Sequence, residues 1–279
     1  MIKKAVIPAA GLGTRLLPAT KEQPKEMLPV FCKENGNVVL KPFLQVLFER
    51  LHKAGFREFC IIAGKSKRAI EDHFTPDKEF VNLLESKKKN DTAGLLKEFY
   101  QMIENSNIFW VNQAEPKGFG DAVYCAKNFV NSDYFLVNAG DDIIVSNKDP
   151  IKRLCSIHEK FKPDISLMVQ RVEDPRRFGV IVGEEKEDGL YDVSSIIEKP
   201  KDPPSNLAVI GVYIFSPKIF TALENVKPDQ SGEKQLTDAI QYLITKGAKV
   251  LAVELAKDEK RVDIGTVETY RETLNSMIL

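Results

Sequence analysis

Lys3-Lys-Ala-Val-Ile-Pro-Ala-Ala-Gly-Leu-Gly-Thr-Arg15 begins as a short apolar strand, Lys3 to Pro8, and runs straight into a loop of small residues. Small side chains let backbone N–H groups approach a ligand closely, and Arg15 brings a charge that pairs with phosphate. Two familiar phosphate loops do not fit. A Walker A loop needs Gly-Lys-Ser/Thr after four intervening residues, and a dinucleotide fingerprint needs a small residue where Leu16 stands. The stretch reads as the first strand of an α/β sheet, ending in a triphosphate-sized loop of another kind.

The loop continues through Leu17-Pro-Ala-Thr-Lys21 and Pro24-Lys-Glu-Met-Leu-Pro29, which is long for a connection and holds Lys25 on a stiff, proline-bracketed backbone. From Pro42 to Ala54, Phe43, Leu44, Leu47, Phe48 and Leu51 recur at helical spacing. Pro42 suits the first turn and Gly55 the C-terminal cap. Phe59 to Ala63 is a second buried strand, and Ser66 is placed to cap a helix running through His73. Residues 77–107, rich in Lys, Glu and Asn, read as a helical surface insertion in a single domain spanning 1–279.

Further strands are expected at Ile108 to Val111, Tyr134 to Asn138 and Ile165 to Gln170, with helices at Gly120 to Phe129 and Pro150 to Phe161. Beyond Phe178 the strands shorten to Val180–Val182, Val193–Ile197 and Val209–Phe215. Helices near Lys218–Glu224 and Gln235–Lys246, a strand at Val250–Glu254 and a helix from Val267 onward follow. On that last helix Tyr270, Leu274, Met277 and Ile278 are spaced to face the protein's own core, with a partner subunit as the alternative. Strand and helix alternate, which predicts a Rossmann-like three-layer α/β sandwich with a mixed, mostly parallel central sheet.

Composition narrows the function. With 40 basic and 40 acidic residues among 279, the chain has no net field to draw nucleic acid or a membrane surface. No apolar run approaches the roughly 20 residues needed to span a bilayer, so a cytoplasmic protein is expected. Cys32, Cys60, Cys125 and Cys155 are far apart, without a CxxC pair, and are read as packing residues.

Charge gathers at three strand ends. Tyr134-Phe-Leu-Val-Asn-Ala-Gly-Asp-Asp142 closes an apolar strand on two carboxylates, at the sheet edge where α/β ligands bind. Such carboxylates hold Mg2+ beside substrate phosphates. Arg261-Val-Asp-Ile-Gly265 supplies another carboxylate, Asp263, and Glu198-Lys199 emerges where Pro200 stops a strand.

Taken in order, these segments resemble the prokaryotic UTP–glucose-1-phosphate uridylyltransferases, within the sugar nucleotidylyltransferases. The resemblance covers nearly the whole chain. Its strongest parts are Ile7 to Lys21, Pro24 to Pro29, Glu198-Lys-Pro-Lys201, Pro204-Ser-Asn-Leu-Ala208, Gly232-Glu-Lys-Gln-Leu-Thr-Asp-Ala-Ile240 and Val262-Asp-Ile-Gly265. The resemblance implies that Ala10 and Gly11 contact the base through backbone, and that Gln113 and Gly118 complete the uracil pocket. Gly13, Thr14 and Pro116 would join the nucleotide site, and Arg15 and Lys25 would grip the triphosphate. Asp141 and Asp263 would bind Mg2+. Asp142, Gly179, Glu198 and the backbone of Val209 to Gly211 would surround the sugar, with Lys199 on its phosphate.

Two positions depart from the family pattern. Gly120-Asp121-Ala122 stands where Gly-His-Ala is usual, and Ala139-Gly-Asp-Asp142 stands where a Leu-Pro-Asp-Asp-like strand end is usual. The second is similar to the thymidylyltransferase turn and leaves UTP against dTTP open. The expected reaction joins UTP and glucose 1-phosphate, giving UDP-glucose and pyrophosphate, by in-line attack without a covalent intermediate; a homodimer or homotetramer is implied. Its competitors are another nucleotide or sugar, a non-catalytic sugar-nucleotide sensor, and a nicotinamide oxidoreductase. The last lacks an acidic residue after the second strand, at Ala63-Gly64.

Overall fold

A computed structural model of the chain describes residues 2–34 and 36–275. β1 (Lys4–Pro8) alternates its burial between two faces. Ala5 and Ile7 enter one apolar cluster, and Val6 enters another on the opposite side. Period-2 side chains with no exposed face define a central strand of a covered sheet.

After β1 the long loop leads into a hairpin, β2 (Pro29–Glu34) and β3 (Asn37–Pro42), and then α1 (Phe43–Ala54). Pro42 is the N-cap of α1, and Gly55 caps its end at φ 111°. β4 (Glu58–Ala63) returns to the sheet. α2 (Arg68–His73), α3 (Lys78–Ser86) and α4 (Asn90–Glu104) carry the chain over to β5 (Asn107–Asn112). α5 (Phe119–Cys125), α6 (Lys127–Val130), β6 (Phe135–Asn138) and β7 (Asp142–Val145) follow, and then α7 (Pro150–Phe161) and β8 (Ile165–Arg171). The remaining elements are β9 (Gly179–Glu187), β10 (Leu190–Glu198), β11 (Leu207–Phe215), α8 (Lys218–Asn225), α9 (Leu236–Thr245), β12 (Val250–Glu254), β13 (Lys260–Asp263) and α10 (Val267–Leu274).

Nine strands form the main sheet in the order β5-β4-β1-β6-β11-β8-β12-β10-β9. Every neighbouring pair that includes β10 or β11 is antiparallel and the others are parallel, so seven strands share one direction. The chain leaves β1 toward β4 and β5, then returns to β1's other side as β6. That reversal opens a crevice at the C-terminal ends of β1 and β6, where open α/β sheets take their ligands.

One face is covered by α1, α4 and α7 and the other by α5, α8 and α9. Phe48 of α1 meets Phe59, Phe74 and Phe99 at centroid distances of 4.7, 5.2 and 6.1 Å. Phe99 is buried, so α4 is anchored in the core, while α3 packs on it through a small cluster of Val81, Leu84 and Ala93. Tyr270 packs on the core beside β2, its hydroxyl donating to the Pro29 carbonyl at 2.9 Å. Met277 and Ile278 lie outside the described residues.

Three local expectations change. Ser66 does not cap α2: it takes φ 67°, and the N-cap is Lys67, whose side chain goes to Glu26 instead. The strands after Phe178 are longer than their apolar runs, because β9 and β10 form a hairpin around Gly189 in which β9 runs on through exposed, charged residues and β10 starts at buried Leu190 and Tyr191. β2, β3, β7 and β13 were not expected as strands. They pair outside the main sheet, β2 with β3 and β7 with β13.

Candidate active site

The loop after β1 and the turn after β6 are stitched together at the crevice. Gly140 N donates to the Pro8 carbonyl at 2.9 Å, and a Cβ on Gly140 would sit 2.8 Å from that same oxygen. This contact accounts for glycine just before Asp141 and sets the two segments side by side. Thr14–Leu16 and Lys25–Met27 are single 3-10 turns, the first clamped by the Thr20 hydroxyl donating to Gly13 O at 2.7 Å.

Between these segments lies a cleft of about 390 Å³. Ala10, Gly11, Gly13, Thr14, Arg15, Lys25, Gln113, Pro116 and Gly118, the whole nucleotide set expected from the sequence, line it together with Asp141, Phe119, Glu233 and Gly265. A hollow of about 480 Å³ at the opposite end of the sheet, beside Lys3, Tyr134 and His158, has more volume but no loop of small residues to receive phosphate. Volume does not select the site.

Gly118 caps α5 at φ 99°, and a Cβ there would lie 2.9 Å from both Glu233 Cβ and Lys234 O, so only glycine fits. The 229–235 loop thereby walls this end of the cleft, with Lys234 N donating to Lys117 O at 2.8 Å and Gly120 N to Lys234 O at 3.0 Å. Gln113 is buried there and donates from Nε2 to Gly118 O at 3.2 Å and Asp121 Oδ2 at 2.8 Å.

In the middle of the cleft Lys25 Nζ and Asp141 Oδ2 form an ion pair at 2.5 Å. Burial pushes the Asp141 carboxyl up, but the charge and hydrogen bond of Lys25, with Arg261 beyond, hold it below the usual range. Burial lowers Lys25, yet Asp141 and Glu26 leave it raised. Arg15 is exposed on the cleft wall.

The β7–β13 ladder pairs Asp142 with Asp263, and Ile264 N donates to Asp141 O at 3.1 Å, so folding brings the three carboxylates to one corner. Asp142 is buried and accepts from Arg261 Nε at 2.8 Å and Gly211 N at 3.1 Å, while its Oδ1 has no partner. A Cβ on Gly211 would meet Ala139 Cβ at 2.7 Å and Asp142 Oδ2 at 3.1 Å. Among the described residues no group of three or more His, Cys, Asp or Glu forms a ready-made metal cage.

Glu198, Gly179 and Lys199 meet where β9 and β10 pair, Glu198 opposite Gly179. Glu198 Oε2 accepts from Thr237 Oγ1 at 2.9 Å. Lys199 has φ 41°, a conformation that costs a non-glycine residue energy, and its N–H donates to Phe178 O at 3.0 Å. Its ammonium is exposed, 3.2 Å from Glu198. Val209 is buried on β11, two residues before Gly211.

Four further residues contribute, of which only Asp121 stands out in the sequence, as a departure from the family pattern with no role attached. Arg261 neutralises Asp142, Thr237 orients Glu198, Asp121 holds Gln113, and Lys67 ties down Glu26 at 2.7 Å. Arg261, Thr237 and Lys67 act across 119, 39 and 41 residues, which no local motif signals, and Asp121 acts across eight.

The family model described as nucleotidyl transferase matches residues 4–278. The UTP–glucose-1-phosphate uridylyltransferase of Staphylococcus epidermidis is 43% identical over 95% of this chain and 88% of its own length. That of Bacillus subtilis is 42% identical over 95% and 87%. A crystal structure of UDP-glucose pyrophosphorylase complexed with UDP-glucose is similar with a TM-score of 0.84 and 36% identity, covering 99% of this chain and 98% of that one.

Proposed function

This chain belongs to the nucleotidyl transferase family, and on that premise we propose that it transfers the uridylyl group of UTP to glucose 1-phosphate, releasing UDP-glucose and pyrophosphate. The observation that carries the reading is the Lys25–Asp141 pair, set between a cleft lined by backbone of small residues and a corner of carboxylates.

A phosphate oxygen of glucose 1-phosphate attacks the α-phosphorus of UTP in line, and the bond to pyrophosphate breaks as the new P–O bond forms. The nucleophile is already an anion, so no general base is needed. The work left to the protein is alignment of two mutually repelling anions and neutralisation of their charge. Arg15 and Lys25 would hold the triphosphate, and Lys199 would hold the sugar phosphate. Glu198, oriented by Thr237, and Asp142, held by Arg261 and the Gly211 N–H, would receive sugar hydroxyls with Gly179 and the Val209 to Gly211 backbone. Triphosphate binding draws Lys25 away from Asp141 and frees that carboxylate.

Asp141 and Asp263 would hold Mg2+. Their hard oxygen donors suit it, and a site with few protein ligands fits an ion that takes most of its remaining ligands from phosphates and water. When bound, the ion supplies charge neutralisation at the phosphates. The cytoplasm is the compartment we infer; among the described residues no helix is long and apolar enough to cross a membrane. A homodimer or homotetramer accords with the family resemblance.

The test is pyrophosphate release with Mg2+ and glucose 1-phosphate, offering UTP and dTTP in parallel with a no-sugar control. Sugar-dependent release with UTP is the expected result. A preference for dTTP would keep the mechanism and change the nucleotide, and binding without release would favour a sensor.

A further inference from the structure

We propose that Asp121 is a positioning residue that fixes the orientation of the Gln113 side-chain amide and thereby makes the base pocket select a pyrimidine carrying a ring N–H. The inference rests on the reading of this cleft as a nucleotide site.

An amide has a donor end and an acceptor end, and which end faces the ligand decides which base edge is welcome. Gln113 Nε2 has two hydrogens, and both are used inside the protein: one goes to the Gly118 carbonyl at 3.2 Å, the other to Asp121 Oδ2 at 2.8 Å. Both partners are acceptors. Turning the amide over would set Oε1 against two oxygens in a buried place, where an unmade hydrogen bond is expensive. The donor end is thus locked away, and Oε1, which accepts from no donor among the described residues, is the end left for a ligand in the cleft.

A lone acceptor matches the N3–H of a uracil or thymine ring. Cytosine presents a bare nitrogen at N3, so acceptor would face acceptor. Sites built around a hydrogen bond reject analogues that cannot make it far more strongly than apolar pockets reject a methylene. Of the two locks, Asp121 is the stronger, because its bond is shorter and involves a carboxylate. Asp121 stands in the first turn of α5, where an acidic residue also suits the helix terminus, so its replacement removes some helix stability along with the lock, a loss that is the same for either nucleotide.

The experiment is the ratio of kcat/KM for UTP over CTP, with glucose 1-phosphate and Mg2+, for the wild type, Asp121→Ala and Asp121→Asn. Loss of the lock lets the amide turn, so Asp121→Ala should lower the ratio about 10-fold, chiefly through a raised KM for UTP and improved use of CTP. Asp121→Asn can still present an oxygen to Gln113 and should restore most of the ratio. Asp121→Ser, too short to reach Gln113, repeats the test if the alanine variant does not fold. A general loss of structure would lower both substrates together and leave the ratio in place; an unchanged ratio in a folded Ala or Ser variant overturns the inference while UTP turnover in the wild type upholds the function. A wild type without sugar-dependent turnover of UTP overturns both.

Discussion

Lys25 and Glu26 are neighbours in the chain, and each forms an ion pair with a residue far away, yet the two pairs have opposite characters. Lys25 meets Asp141 at 2.5 Å with 15% and 29% of the two side chains exposed, in the cleft. Glu26 meets Lys67 at 2.7 Å with 2% and 6% exposed, beneath the loop. The partly exposed pair can be opened by a ligand that offers better partners. The buried pair cannot, because separating it would leave charges without water or partner. One residue supplies a movable charge, and the next fastens the loop that carries it to α2. The lesson is that burial, more than charge or distance, separates a working ion pair from a fastening one.

Asp141→Asn should break the comparison on its working side with the largest effect. Turnover should fall by about 10³-fold, the scale of losing a key electrostatic group at a transition state, while the protein stays folded. Near-wild-type turnover in the folded variant would remove Asp141 from the site.

The fastening side predicts the reverse. Glu26→Ala or Lys67→Ala should cost about 3–5 kcal/mol of stability, because the remaining charge stays buried alone. In a chain of this length that is a fall in Tm on the order of 10 °C, read by thermal melting. The double variant Glu26→Gln/Lys67→Met should recover most of it, to within about 1.5 kcal/mol of the wild type. Additive losses in the double variant would show that the pair is not what holds the loop.

The smallest effect is in pH. Asp141 titrates below its ordinary 3.8, so the stability it contributes is present above that value and is lost as pH falls through its folded value. Lys25, raised above 10.5, contributes stability present below that value and lost as pH rises through its folded value. Glu26 has the opposite sign to Asp141. Burial, despite Lys67 and Lys25, holds its carboxyl above 4.5, so the folded chain takes up this proton more readily and the group favours folding as pH drops through that range. The difference in Tm between wild type and Asp141→Asn should therefore be constant from about pH 5 to 9 and shrink in acid. A maximum near neutrality would contradict the assignment.

Much of this architecture was legible in the chain because it is local. β1 announces itself as a short apolar run leading into small residues, α1 by the spacing of Phe43, Leu44, Leu47, Phe48 and Leu51, and α7 by Pro150 at its first position. The nine nucleotide-cleft residues converge because they lie in two loops, one after β1 and one after β5, whose strands flank β4 in the sheet. Hidden from local reading were β7 and β13, four residues each and polar at their ends, which exist only because they find each other across more than a hundred residues. Ser66 has the right chemistry for a cap, but the buried tie from Lys67 to Glu26 decides the backbone instead. Thr237 and Arg261 escape for the same reason, and Asp121 is visible in the chain only as a departure from the family pattern: each matters through a partner that folding supplies.

If the pair at Lys25 works while the adjacent pair only fastens, the decisive measurement is sugar-dependent pyrophosphate release by Lys25→Ala with UTP, glucose 1-phosphate and Mg2+. The variant should lose about 10²–10³-fold in kcat/KM and still melt within a few degrees of the wild type. Activity within two-fold of the wild type, or a loss matched by unfolding, would contradict that division of roles.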